Sequence, residues 1–484
     1  MNQHCTPNSA AHKDAVAYLC DIFTQIVRVD GRDLLESESL CLKEGHKLLA
    51  QAFARALERF DQELCCNLSE GVRVHDRRDR TLATMFGDVS FKWHRCRDVC
   101  GNTIIPLADA LDIPWGARVS PAARSFLVNA GAEVSFLKSA DLLEQAGGSR
   151  VSATCVMGAV HKVGELCAKE DAIAARQLYV DGVVPKAESE QEDVCIEADG
   201  IWIRLQANDK TKSSRVEIKA LVSYAGKQAC GSKSKRIKPV RHGCVEPPEV
   251  FWKQSVAAIG EKFDLAKIKT VHFGCDGESF YKDGAKYLPV SVKSDTHLDP
   301  FHVNRAILSC FPKDKQELAH NILGAVIDGD INSAAALIEF SEQAGIAKKN
   351  STRVATYLRN NEEIIYTEGP SLGTMESEQQ HLYGSRMDSV PCAWSIMGAD
   401  SMTRLRSRKY SGRQIPHPTR IHSITSRRKH RTEKREIAYY STKIDTHIPY
   451  TTGKGFEAEH VASLAGLSAE VRYAGGVDFG MIAI

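Results

Sequence analysis

The run Val194-Cys-Ile-Glu-Ala-Asp-Gly-Ile-Trp-Ile-Arg-Leu205 is apolar except at Glu197, Asp199 and Arg204, and a glycine follows the aspartate. Such a run reads as a strand, and the glycine lets a ligand approach the backbone beside Asp199. Lys269-Thr-Val-His-Phe-Gly-Cys275 reads as a second, buried strand, and it leads into Asp276 and Gly277. A third acid, Glu376, stands in Gly373-Thr-Met-Glu376 and is read as helical. Three carboxylates gathered from such settings make a hard oxygen cage for Mg²⁺ or Mn²⁺ and point to phosphoryl transfer. Taken singly, a strand-end aspartate is as readily a turn or capping residue.

Working outward, Val216–Tyr224 reads as a second strand, Arg236–Cys244 as a weaker third, and Val250–Phe263 as a helix. Val290–Lys293 is expected as a further strand and Asp299–Leu308 as the start of a helix. Strands that give way to alternating helix and strand predict an α/β layered domain, interrupted by a helical insertion over residues 313–365. Asp199 on the first strand and Asp276 on the fourth become neighbours if those strands pair. His302 follows Asp299 by three residues; the pair either orients water or phosphate, or Asp299 caps the helix.

Upstream, residues 11–66 read as helix, with Leu49, Phe53, Leu57 and Phe60 at helical spacing. Arg73–Arg80 reads as a charged hinge, Thr84–His94 alternates like a strand, and Cys100-Gly-Asn-Thr103 looks like a hairpin turn. Residues 120–170 are helical again. Phe136–Ala146 and Ser152–Lys162, split by Gly147-Gly148, fit either a helix-turn-helix over 136–164 or a helical hairpin in a bundle. The acidic, turn-rich segment 183–193 reads as a domain boundary.

The net charge of +2 conceals an asymmetry. Between Arg404 and Arg435 twelve basic residues face one acid, Glu433, so this stretch carries +11 and the remainder −9. Arg427, Arg428, Lys429, Arg431, Lys434 and Arg435 are its densest part. The segment suggests a polyanionic partner or else a solvated linker. Fifteen scattered cysteines read as reduced thiols, and the absence of a long apolar run excludes a membrane partner, so a cytoplasmic protein is expected. His94, Cys96 and Cys100 hold a zinc ion only if another ligand joins them. No Gly-x-Ser-x-Gly and no phosphate-binding Gly-x-x-x-x-Gly-Lys occurs, which disfavours serine hydrolysis and ATP use. An aromatic share of 7% gives little support to a glycosidase.

Several short motifs in order carry a resemblance. Glu197-Ala-Asp-Gly200, Phe273-Gly-Cys-Asp-Gly277, Leu298-Asp-Pro-Phe-His302 and Met375-Glu-Ser-Glu-Gln-Gln-His-Leu-Tyr-Gly-Ser-Arg-Met387 resemble the transposases of the ISLre family of bacterial insertion sequences. Trp394-Ser-Ile-Met-Gly398, Phe86-Gly-Asp-Val-Ser-Phe91 and Leu107-Ala-Asp-Ala-Leu-Asp-Ile113 are similar as well, and the resemblance spans residues 80–410. It implies an α/β RNase-H-like catalytic domain over 190–400, preceded by a mainly helical region (1–80) and a DNA-binding region (81–182), and followed by a basic tail (401–484). It implies a catalytic, metal-holding triad of Asp199, Asp276 and Glu376, with Glu378 as an alternative third ligand and Glu278 as a nearby acid. The expected activity is cleavage and joining of DNA at insertion-sequence ends and target DNA, by homo-oligomers associated with the bacterial nucleoid. The alternative is a non-catalytic DNA-binding protein or a decayed transposase.

Overall fold

A computed structural model describes residues 9–417, apart from 115, 208–213, 231–232, 276–282, 366–369, 371, 374 and 390–391. They form two compact units, one running to Val160 and the other from His161 to Pro416. No helix among the described residues is long and apolar enough to cross a membrane.

In the first unit the helical stretch resolves into α1 (Ser9–Val27) and α2 (Leu34–Cys66), the latter capped by Asp33, whose carboxylate accepts from the Glu36 amide. The expected hinge at 73–80 is instead the first part of a strand, β1 (Arg73–Thr84), paired antiparallel with β2 (Gly87–Arg97). Pairing with β2 satisfies its backbone while its charged side chains stay largely in solvent, so a charge-rich sequence is tolerated there. β2 alternates buried and exposed from Gly87 to Trp93, as its sequence predicts. A turn leads to the short β3 (Thr103–Ile104), followed by α3 (Pro106–Ala110), α4 (Pro121–Gly131), α5 (Phe136–Gly147) and α6 (Ala153–Tyr179). Leu57, Val89, Phe91, Trp93 and Leu107 make the core beneath the hairpin. Ser135 caps α5, the Ser152 hydroxyl oxygen accepts from the Cys155 amide, and Gly148 ends α5 at φ +73°. The two helices of the helix-turn-helix candidate are therefore present, but α6 runs on well past residue 164.

The second unit is built on one sheet. Its strands are β4 (Asp193–Arg204), β5 (Arg215–Tyr224), β8 (Val240–Cys244), β9 (Thr270–Cys275) and β10 (Lys293–Leu298), while β6 (Lys227–Cys230) and β7 (Lys233–Arg236) form a separate hairpin. The sheet order is β10-β9-β4-β5-β8. β4, β5 and β8 pair antiparallel; β9 is parallel to β4 and β10 parallel to β9. The third strand expected from Arg236 thus begins only at Val240. The strand expected at Val290–Lys293 is displaced to Lys293–Leu298, and Val290 is fully exposed. β10 lies at the sheet edge, where a strand buries little and Ser, Asp and Thr are tolerated.

Val194, Ile196 and Ala198 of β4 pack with Phe251, Trp252, Val256 and Ile259 of α7 (Pro248–Lys262). Beyond β10, α8 (Pro300–Cys310) leads into the expected helical insertion, α9 (Gln316–Ile327), α10 (Ile331–Gln343), α11 (Thr352–Asn360) and α12 (Glu362–Ile365). The insertion has its own core, in which Ile322, Ala334, Ile338 and Leu358 join Val303 and Ile307 of α8. Helix α13 (Met375–Gln379) continues through a π-helical turn (Gln380–Gly384) into α14 (Ser385–Met387), and α15 (Ile396–Ser411) closes the unit.

α15 corrects the expectation of a basic tail starting at residue 401. Arg404, Arg406 and Arg408 are only 1%, 2% and 4% exposed. Arg404 pairs with Asp171 at 2.9 Å and Asp400 at 2.8 Å, Arg408 with Asp171 at 2.7 Å, and Arg413 with Glu261 at 2.9 Å. Arg406 donates to the Leu382 carbonyl. Acids distant in sequence thus neutralise cations that composition alone assigns to a polyanion. Gly164 lets α6 meet α15, since a Cβ there would lie 2.3 Å from the Ser401 Cβ. Burial by itself would raise the Asp171 carboxyl, but the Arg408 and Arg413 guanidiniums, with His242 and Arg404, hold it well below the usual carboxylate range. Burial also pushes His242 down to about 3.

Removing Asp171 leaves buried guanidiniums without their counter-charge. Asp171→Ala should cost about 3–5 kcal/mol in urea unfolding; a cost below about 1 kcal/mol, the level of an exposed pair, would contradict the role given to the network. The depressed folded pKa makes this stability present above the unfolded aspartate value of about 4 and lost as pH falls below it. The variant should therefore lose stability less steeply than the parent when both are acidified through that range.

Candidate active site

Strand alternation places Glu197 and Asp199 on the face of β4 opposite Val194, Ile196 and Ala198. Both acids are nearly buried, at 2% and 9% exposure. Buried carboxylates need donors, and Glu197 has two that tie separate parts of the chain together. The Tyr224 hydroxyl of β5 donates to Oε1 at 2.6 Å, and the Gly373 amide donates to Oε2 at 2.8 Å. Burial first, and then the Glu197 charge, raise the Tyr224 phenol, which keeps it protonated and a donor. Glu197 thereby tethers the residues leading into α13 to the central strand. Gly373 adopts φ +89°, and a Cβ there would stand 2.9 Å from Asp299 Oδ1. Only glycine passes that point without strain.

Asp299 caps α8, accepting from the Phe301 amide at 2.8 Å, and it is 7% exposed. It also lines a small cavity with Glu197, Asp199, His302, Gly274, Gly373 and Met375. The two readings of Asp299 and His302 are therefore compatible: Asp299 caps the helix, and both residues face the cavity. At about 10 Å³ the cavity has room for one water-sized occupant. Its described walls contribute three carboxylates and an imidazole, and no lysine or arginine. Lys227 lies close by: burial lowers its ammonium, and the Glu197 carboxylate pulls it back up. Lys227 and Arg236 each stand 5.7 Å from the centre of the Tyr224 ring.

Of the expected triad, Asp199 is in this cavity. Asp276 and Glu278 lie outside the described residues, as do Arg427, Arg428, Lys429, Arg431, Lys434 and Arg435. Glu376 belongs to α13, next to the cavity-lining Met375, and its side chain is also outside the described set. Glu378 is engaged elsewhere, in ion pairs with Arg236 at 2.5 Å and with Arg241. Glu197 and Tyr224 are not among the residues that the sequence marks for the site. The signal for Glu197 was there, since an acid two residues before Asp199 on one strand shares its face. Nothing local in sequence marks Tyr224 or Gly373 as its partners.

Replacing Glu197 by alanine strands the Tyr224 hydroxyl and the Gly373 amide. Glu197→Ala should destabilise the protein by about 1–3 kcal/mol and accelerate amide hydrogen exchange at residues 372–379. Unchanged exchange there would show that the tether does not hold α13.

The chain is 26% identical over 394 residues to the "UPF0236 protein in vanSb 3′region" of Streptococcus gallolyticus, an alignment covering 78% of this chain and 83% of that protein. The family match spans residues 29–418, which takes in the acidic cavity and α15 and stops short of Arg427. By that match the chain belongs to UPF0236, an uncharacterised protein family.

Proposed function

We propose that this protein is a DNA transposase that cleaves and joins DNA strands at the ends of an insertion sequence. The proposed catalytic domain is RNase-H-like, and Asp199, Asp276 and Glu376 are its metal-holding triad. One observation carries the reading. β9 runs parallel to β4 in a register whose last described pair is Glu197 with Gly274; Asp199 and Asp276 follow these two residues by the same two positions along the chain. The sheet order agrees with it: three antiparallel strands, a helix, then two strands laid parallel beside the first. The Glu197–Gly373 hydrogen bond draws the approach to Glu376 toward the same strand end. The ion pairs of Glu378 with Arg236 and Arg241 favour Glu376 over Glu378 as the third acid.

The donor set fits a hard divalent cation. Buried carboxylate oxygens around a cavity whose described lining holds no ammonium or guanidinium suit Mg²⁺ or Mn²⁺. Bound there by Asp199, Asp276 and Glu376, such ions supply the positive charge that favours an ionised water or 3′-hydroxyl and a developing phosphorane. The protein's own groups do the positioning. Glu197 fixes the acidic strand end and the Gly373 segment, and His302 on the cavity wall orients the attacking hydroxyl or contacts a phosphate. Lys227 and Arg236, beside the acidic wall, are the cations that attract the DNA backbone.

For the wider DNA contact, α5 and α6 are proposed to read terminal repeats, and Arg427, Arg428, Lys429, Arg431, Lys434 and Arg435 to add sequence-independent affinity. That tail lies outside the family match, so it is proposed as an accessory of this chain rather than the shared core. Arg73 and Arg77 of β1 are exposed and are proposed as further phosphate contacts. Two ends are brought together by a homo-oligomer on DNA.

Asp199→Asn and Asp276→Asn should remove Mg²⁺-dependent nicking of DNA carrying the element's ends by at least about a hundredfold, a modest share of the several kcal/mol that metal charge supplies. Both variants should keep gel-shift affinity. Retained nicking sinks the triad; DNA binding with no nicking in the parent favours the non-catalytic alternative. Charge reversal at Arg427 and Arg428 should weaken binding evenly across sequences and flatten the log–log salt slope by about 0.9 per lost phosphate contact. An unchanged slope would remove the tail from the interface.

A further inference from the structure

A second convergence of ligand-type side chains lies in the first unit, far in sequence from the acidic cavity. Asp61 and Cys65 stand one turn apart on α2, and His94 and Cys96 share a face of β2. Ligand atoms of Asp61, Cys65 and His94 all lie within 4.8 Å of one another. Cys96 neighbours the Cys65 thiol and helps to raise it, after burial and the Asp61 charge, and Cys96 and Asp61 are both 0% exposed. His94 Nδ1 lies 2.6 Å from Asp61 Oδ2, which also accepts from the His94 amide at 2.9 Å. The other carboxylate oxygen, Asp61 Oδ1, is buried and has no hydrogen-bond partner among the described residues.

That oxygen is hard to account for by packing alone. A fully buried acceptor without a partner is costly, and native structures rarely leave one. A histidine that serves only to satisfy Asp61 explains Oδ2 and leaves Oδ1, Cys65 and Cys96 without a purpose. A cation explains all of them together.

We propose that Asp61, Cys65, His94 and Cys96 form a structural zinc site. One carboxylate, one imidazole and two thiolates are a closed set of four for a borderline-soft ion that prefers tetrahedral N, S and O donors. Mg²⁺ is the wrong ion for this set, because it takes oxygen ligands and dehydrates reluctantly. Binding involves no redox change. Each thiol gives its proton to solvent as its sulfur bonds to the metal, the imidazole carries its remaining proton on Nε2, and zinc-bound waters leave. The ligands come as two pairs, one from a helix and one from a strand. The ion therefore pins α2 to β2 beside the core formed by Leu57, Phe91 and Trp93. Cys100, which the sequence placed in a zinc set with His94 and Cys96, is exposed, unlike the buried Cys96.

The test is zinc content of the full-length protein, purified in reductant without chelator, together with a Co²⁺ titration of the metal-stripped protein. One zinc per chain is expected, as is a thiolate-to-cobalt charge-transfer band. Cys65→Ser and Cys96→Ser should each lower zinc content at least about tenfold, whereas Cys100→Ser should not change it. If a serine variant fails to fold, the cobalt spectrum of the parent chain decides the matter. A metal-free parent with no charge-transfer band overturns the site, and so does zinc retained at full content by Cys65→Ser/Cys96→Ser. None of these readouts involves DNA cleavage, so the zinc site stands or falls separately from the transposase reading.

Discussion

β4 is hydrogen-bonded along one edge to β5, which follows it directly, and along the other to β9, which returns only after β8 and α7. The second pairing constrains the rest of the second unit. It is parallel and spans Asp193–Glu197 of β4, so β9 ends beside the acidic stretch of the central strand. α7 covers one face of the strands with Phe251, Trp252 and Ile259. The other face carries Glu197 and Asp199. A buried carboxylate on a central strand is tolerable only where donors meet it, and Glu197 recruits them from β5 and from the segment before α13. The fold's need to satisfy Glu197 and the site's need to gather acids are met by the same hydrogen bonds.

A second constraint acts below the sheet. Asp171 of α6 accepts from both Arg404 and Arg408 of α15, and Arg413 approaches the same carboxylate at 3.5 Å. Ion pairs of this kind are poor sources of net stability compared with apolar packing, but breaking one partner is expensive. They tie α15 to α6 at one place, because Arg404 and Arg408, one turn apart, both reach Asp171.

The central strands are legible because each is rich in apolar, β-branched residues and is closed by glycine or a turn. The sequence showed the insertion because its apolar positions recur with helical period. It failed where burial is one-sided or pairing is remote. β10 carries Lys293, Ser294, Asp295 and Thr296, since an edge strand is stabilised by its backbone bonds to β9. β1 was mistaken for a hinge because Arg73, Arg77 and Arg78 point to solvent. Arg404 and Arg408 read as part of a polyanion-binding tail because Asp171, the acid they share, lies in α6, beyond the reach of any local pattern. Asp199 is marked as a candidate by the glycine that follows it, and it lines the small cavity. Its companions Glu197 and Asp299 were visible as residues but not as neighbours, because their proximity depends on the path of Gly373.

The account rests on a divalent cation shared by side chains from β4, from the residue after β9, and from α13. The most direct measurement is anomalous diffraction from crystals of the full chain grown with Mn²⁺. A peak within coordination distance of Asp199, Asp276 and Glu376 is the predicted result. Mn²⁺ bound only elsewhere, or Asp276 turned away from Asp199 in well-defined density, would contradict the account.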